Sequence, residues 1–309
     1  MKFSYAFRRG AYHPFVGDDR ELPDPVHLPK YLSKLRSIGF EGIEILLKYF
    51  DPVSENALAI DSLCEALDAN SMPCVVVNTG GGSMSDPRVS TDNKNMIERA
   101  ITLAKYVGAG LVNVPLVSPP VDPKGPGATF GESISQGSSR LASDDAFKQE
   151  AGGLSYLAGI AEPYGISLTI EIHQRSIADN SWSSIRLLNL VDGSNIGINP
   201  DLGNIQQAYD VPEESYESAI TAVAPYSNYW HCKNASVIPL PDLGRTANIR
   251  VPLPDGDIDY RFAMTAMLKA GFDGYMAVEG SGVGDALTKD ARSLYYIKGL
   301  YDELNKELG

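Results

Sequence analysis

The stretch LTIEIHQ at residues 168–174 decides how this chain is read. Side chains alternate along a strand, so Glu171 and His173 share one face while Ile170 and Ile172 share the other. A carboxylate inside a core strand is costly unless it is paired, hydrogen-bonded or bound to metal. The isoleucines suit contact with packing helices, and the polar pair suits the inside of a closed parallel barrel at its carboxyl-terminal mouth. Three later stretches repeat the pattern. Asn199 and Asp201 fall together in GINPD (197–201), Tyr229, His231 and Lys233 in YWHCK (229–233), and Glu279 lies on the inner face of YMAVEG (275–280). Glu171, Asp201, His231 and Glu279 follow one another at intervals of 30, 30 and 48 residues. One βα repeat is about that long.

Outward from these strands, short β-branched or apolar runs alternate with longer amphipathic ones along the whole chain. Eight runs read as strands: KFSYAF near residue 4, then stretches at 42–46, 74–78, 111–116, 167–173, 196–201, 228–234 and 274–280. Between them HLPKYLSKLRSIG, ALAIDSLCEALDAN, STDNKNMIERAITLAKYVGAG, DAFKQEAGGLSYLAGIAEPYG and DYRFAMTAMLKAGF carry apolar residues at three- and four-residue spacing. Several end in glycine, which suits a left-handed cap before the next strand. The expected fold is a single (β/α)8 TIM barrel spanning residues 1–309. Two stretches exceed a minimal barrel, at 117–142 and 234–257, and both follow strands, so both should rise over the mouth.

Composition narrows the function. With 309 residues and 43% hydrophobic content the chain can bury a large core unaided. Cys64, Cys74 and Cys232 lie in apolar runs at no metal-like spacing, which favours reduced thiols, and the sequence carries no secretory signal or long apolar span; a cytoplasmic protein is expected. A formal charge of −13 argues against nucleic acid and membrane partners.

Three carboxylates converging without a cation would repel one another, whereas a divalent ion would hold all three ionised. One neutral imidazole completes a mixed oxygen and nitrogen shell for Glu171, Asp201, His231 and Glu279. That shell suits one manganese ion first, with cobalt or magnesium as alternatives, and zinc less well.

Strand-end Glu, Asp, His and Glu in LTIEIH, INPDLGN, WHCKN and MAVEG resemble the xylose isomerase-like TIM-barrel superfamily of sugar and sugar-phosphate isomerases and epimerases. The resemblance covers nearly the whole chain. It implies that the same four residues bind metal, and that Glu171 and Glu279 also pass a proton on and off a substrate carbon. Two departures stand out: Asn204 where many relatives carry His in D-x-G-H, and Asn234 where many carry Asp in H-x-K-D.

Removing a proton beside a carbonyl builds negative charge on oxygen, which a metal ion and a nearby ammonium stabilise. Lys233 is the candidate ammonium, and Glu171 and Glu279 the candidate base and acid. His173, Tyr5, Glu44 and Asn204 are the candidate substrate contacts. The expected activity is a metal-dependent isomerase or epimerase acting on a keto sugar or related polyol, and a homo-oligomer is expected. A lyase on the same scaffold is the alternative, resembling inosose dehydratase or a C-glycoside deglycosidase, the latter with a small partner subunit. A non-catalytic barrel has no reason to keep a full ligand set, and the three-zinc AP endonucleases need more histidines than the four here. Duller roles compete for single residues: a helix N-cap for Asp201, an ion pair for Lys233, barrel packing for Tyr5. His13 and His27 fall outside strand ends. The TGGGS run at 79–83 lacks a P-loop lysine and reads as a flexible loop.

Overall fold

Strands buried on both faces need near-continuous apolar sequence, and CVVVN and its counterparts supply it. In the computed structural model, which describes residues 1–6, 27–51, 53, 60–129, 131–132, 134–206, 213–280 and 284–308, each of the eight expected runs contains a strand. They are β1 (Lys2–Ala6), β2 (Gly42–Leu46), β3 (Cys74–Asn78), β4 (Leu111–Val114), β5 (Ser167–Glu171), β6 (Ile196–Asn199), β7 (Trp230–Cys232) and β10 (Tyr275–Val278). All are parallel to their neighbours, in the order β6-β5-β4-β3-β2-β1-β10-β7. The two ends meet at a single parallel bridge between Ile198 and Ser227, so the sheet is a nearly closed (β/α)8 barrel.

Helices fill the crossovers: α1 (Leu28–Ile38), α2 (Ile60–Ala69), α3 (Ser90–Val107), α4 (Asp144–Ala161), α5 (Ser181–Leu190), α6 (Leu202–Ile205), α7 (Tyr216–Val223), α8 (Tyr260–Lys269) and α9 (Ala286–Leu308). Their starts follow local chemistry. Ser143, Ser215 and Asp259 accept hydrogen bonds from first-turn amides, and Asn180 forms a reciprocal capping box with Ser183. Gly39 and Gly108 close α1 and α3 in the left-handed conformation. None of these helices is long and apolar enough to cross a membrane. All three cysteines are free thiols, two of them buried.

The lumen has its own small apolar layer of Ala6, Val76, Tyr229 and Ala277, distinct from the larger core between strands and helices. Alternation in β1 thus sends Ala6 inward and Tyr5 outward. Tyr5 packs edge-on against Phe40, and its hydroxyl donates to Asp290 of α9 at 3.0 Å.

The surplus at 234–257 is more ordered than a loop. It contains an antiparallel ribbon of β8 (Asn234–Leu240) and β9 (Arg245–Val251), turning at Pro241–Leu243 and a left-handed Gly244. Asn234 fixes its base. Its amide nitrogen donates to the carbonyls of Leu253 and Ile258, and its oxygen accepts from the amides of Ala235 and Ile258. An aspartate could not make those two donations, which accounts for Asn at this position. The TGGGS run leads into a segment that is also held: buried Glu150 of α4 accepts from the amides of Met84 and Ser85 and from the Ser83 hydroxyl. His13 lies outside the described residues.

Candidate metal centre

Four side chains meet at the carboxyl end of the barrel. Glu171 ends β5, Asp201 follows β6, His231 is the middle of β7 and Glu279 follows β10; all four are buried, and one ligand atom of each lies within 4.8 Å of the others. His231 Nδ1 stands 3.4 Å from Glu171 Oε1, 3.8 Å from Glu279 Oε2 and 3.9 Å from Asp201 Oδ2. Glu171 is its nearest neighbour, and none of these contacts has full hydrogen-bond geometry among the described residues. Asp201 precedes α6, yet its side chain makes no capping bond. Lys233 Nζ lies 2.7 Å from Asp201 Oδ2 and 3.0 Å from Glu279 Oε2, but only the second contact has hydrogen-bond geometry. Asp201 Oδ2 is therefore ion-paired with the Lys233 ammonium, while Asp201 Oδ1 is buried with no hydrogen-bond partner among the described residues. Three carboxylates and an imidazole nitrogen whose ligand atoms converge, with Asp201 Oδ1 and His231 Nδ1 unsatisfied among the described residues, fit a divalent cation.

The cluster is braced from below. Glu44, on the inner face of β2, accepts from Tyr229 Oη at 2.7 Å and Asn78 Nδ2 at 2.9 Å, and its Oε2 lies 2.6 Å from His231 Nε2. That contact leaves Nδ1 turned toward the carboxylates. A second chain runs round the barrel wall: Asn113 donates to Glu171 Oε2 at 2.5 Å, Asn199 donates to Asn113 Oδ1 at 3.1 Å, and Asn199 Oδ1 accepts from the His231 amide at 2.7 Å. Asn204 donates to the Ile172 carbonyl at 2.8 Å and reaches Glu171 Oε1 at 3.4 Å. Gly203 makes room for the Lys233 stem, since a methyl group there would overlap it.

Burial raises the Asp201 carboxyl to about 7, with Lys233 pulling the other way. Burial alone would lower the His231 pKa, but the Glu44 and Glu171 carboxylates outweigh it and push the imidazole up to about 10. A cation must displace both protons, so affinity should rise with pH. Between pH 6 and 7 the Mn2+ dissociation constant is expected to fall by about tenfold for each proton released, read by calorimetry in buffers of different ionisation heat. A constant independent of pH over that range would contradict His231 as a ligand.

Beside the cluster opens a cavity of about 310 Å³, lined by His173, Asn204, Lys233, Thr246, Asn248 and Arg250 among others. The carbonyl of Gln174 accepts from His173 Nδ1 at 2.7 Å, which leaves Nε2 as the acceptor nitrogen of a neutral ring; burial lowers its pKa.

The sequence matches the xylose isomerase-like TIM-barrel family over residues 32–297. The chain belongs to this family. No curated protein matches it in sequence. Among solved structures, a xylose isomerase-like barrel from Mycobacterium smegmatis in complex with magnesium is similar at TM-score 0.75 and 21% identity, covering 98% of this chain and 97% of that one. An L-ribulose 3-epimerase is similar at TM-score 0.73 and 16% identity, covering 100% and 97%. The 3-keto-D-glucoside 4-epimerase from E. coli is similar at TM-score 0.69 and 17% identity, covering 97% and 99%. These likenesses are of fold.

In this xylose isomerase-like barrel the structure brings Glu171, Asp201, His231, Glu279, Lys233 and Asn204 together, with His173 on the adjoining cavity. It does not bring Tyr5 or Glu44 to that cavity. Tyr5 faces α9, and Glu44 lies beneath His231. Sequence reasoning missed the bracing residues Asn78 and Asn113 and the hairpin residue Arg250, whose guanidinium lies 3.4 Å from Glu279 Oε1. The one available signal was polarity: Asn78 and Asn113 are amides within otherwise apolar strands.

Proposed function

We propose that the chain is a divalent-metal-dependent isomerase or epimerase that moves a proton on the carbon beside the carbonyl of a keto sugar or related polyol. The observation that carries this reading is the approach of Glu171 and Glu279, from non-neighbouring strands, to the one point marked by His231 Nδ1, beside a polar cavity. Epimerase activity in relatives of the same fold supports it. Glu171, Asp201, His231 and Glu279 would hold the cation, Mn2+ by the chemistry of three carboxylates and one imidazole. When bound, it supplies Lewis acidity that makes the carbon acid beside the carbonyl stronger.

The chain's own groups do the rest. Glu171 accepts the proton from one face of the carbon, steadied by Asn113 and Asn204. Glu279 returns a proton to the other face. Lys233 places an ammonium against the growing negative charge. Asn204 and Lys233 line the cavity that would receive the sugar.

The test is proton exchange in heavy water with Mn2+ across a panel of keto sugars and 3-oxo-glycosides. Deuterium should enter the recovered sugar at the carbon beside the carbonyl, without loss of any group. Release of water or an aglycone would replace this reading with a lyase, and no exchange with Mn2+, Co2+ or Mg2+ would end it.

A further inference from the structure

The ribbon β8–β9 has two unlike faces. Its register pairs Ala235 with Arg250, Val237 with Asn248 and Pro239 with Thr246 on one face, and four of these residues, Ala235, Thr246, Asn248 and Arg250, line the cavity. The wall is tied at both ends. Asn234 anchors the base, and near the turn the Thr246 amide donates to the Gly131 carbonyl at 2.9 Å.

Two side chains on this wall have unused hydrogen-bonding capacity. Arg250, about a third exposed, makes one contact among the described residues, to Glu279, and a guanidinium carries five N–H donors. Asn248 lines the cavity, and its Oδ1 is buried with no hydrogen-bond donor among the described residues. The two stand two residues apart on one strand, roughly 7 Å along it.

We propose that this wall determines substrate specificity, with Arg250 and Asn248 holding a hydroxyl-bearing end of the sugar remote from the carbon that exchanges its proton. The inference rests on the function proposed above. Neighbouring hydroxyl groups offer lone pairs to Arg250 and a proton to Asn248 Oδ1, satisfying both. A phosphate or carboxylate offers acceptors only. It would leave Asn248 Oδ1 buried without a donor and would stand beside the Glu279 carboxylate.

The experiment compares D-fructose, D-allulose and D-tagatose with erythrulose, a four-carbon ketose that has the same hydroxy-carbonyl unit but lacks the remote hydroxyls. Deuterium exchange is followed for the Mn2+-loaded wild type, Asn248→Ala and Arg250→Met. In each variant kcat/KM for the preferred hexulose should fall about 30-fold more than kcat/KM for erythrulose, chiefly through KM. If wild type exchanges these ketoses but the variants lose hexulose and erythrulose in equal proportion, or lose neither, the wall assignment is overturned while the proposed function stands. If wild type prefers D-fructose 6-phosphate over D-fructose and Arg250→Met abolishes that preference, the wall reads an anion and the hydroxyl assignment fails. Exchange of none of these sugars by wild type would overturn the wall assignment, and if the 3-oxo-glycosides were inert as well the proposed function would fall with it.

Discussion

Glu171→Gln is expected to lower deuterium exchange by about 10³-fold at saturating Mn2+, with the fold unchanged. The substitution preserves shape and removes the basic oxygen. Glu171 is 2% exposed and held at Oε2 by Asn113 and at Oε1 by Asn204, so a glutamine would keep its carbonyl oxygen on Asn113 and turn its amide nitrogen toward the cation side. Metal affinity should weaken as well, which is why the comparison is made at saturation. Exchange within tenfold of wild type under those conditions would remove Glu171 as the base and move attention to Glu279.

Glu44→Leu is expected to destabilise the protein by about 3–5 kcal/mol, because it strips the partner from a buried charge. Glu44 is fully buried, and Tyr229 Oη, Asn78 Nδ2 and His231 Nε2 all converge on its carboxylate. Leucine leaves them facing hydrocarbon, with the imidazole prone to rotate. Urea unfolding measures the first effect. Calorimetric titration with Mn2+ should show affinity weakened by about 10- to 100-fold, the usual consequence of losing the group that orients a metal-binding histidine. A stability change below about 1 kcal/mol would mean that another group takes over the histidine.

The barrel was legible because eight apolar runs recur with helices of the right length between them, and the four convergent residues because alternation has a period of two. What alternation does not provide is which of two faces turns inward. KFSYAF puts its aromatic side chains on one face and Ser4 and Ala6 on the other, and nothing local says that the small residues face the lumen while Tyr5 faces α9. Nor does it provide partners. Glu44 reads as inward-facing, but whether it meets substrate or His231 depends on how far β2 is staggered against β7, across two intervening strands. The relay from Asn113 through Asn199 to the His231 amide links three strands, a relation set by tertiary register alone. The hairpin was hidden because Pro239 and mixed polarity in NASVIPL and TANIRV blur the strand period; in retrospect its turn, PDLG, was the visible cue.

The seam between β6 and β7 has a wider meaning. One backbone bridge, the Asn228 amide on the Ile198 carbonyl, and the Asn199 side chain on the His231 amide hold the barrel shut there. The last of these is made by a residue that also belongs to the relay reaching Glu171. Positioning of Glu171 and closure of the cylinder therefore share one amide side chain, so a change at Asn199 would be felt at the seam and at the cluster together.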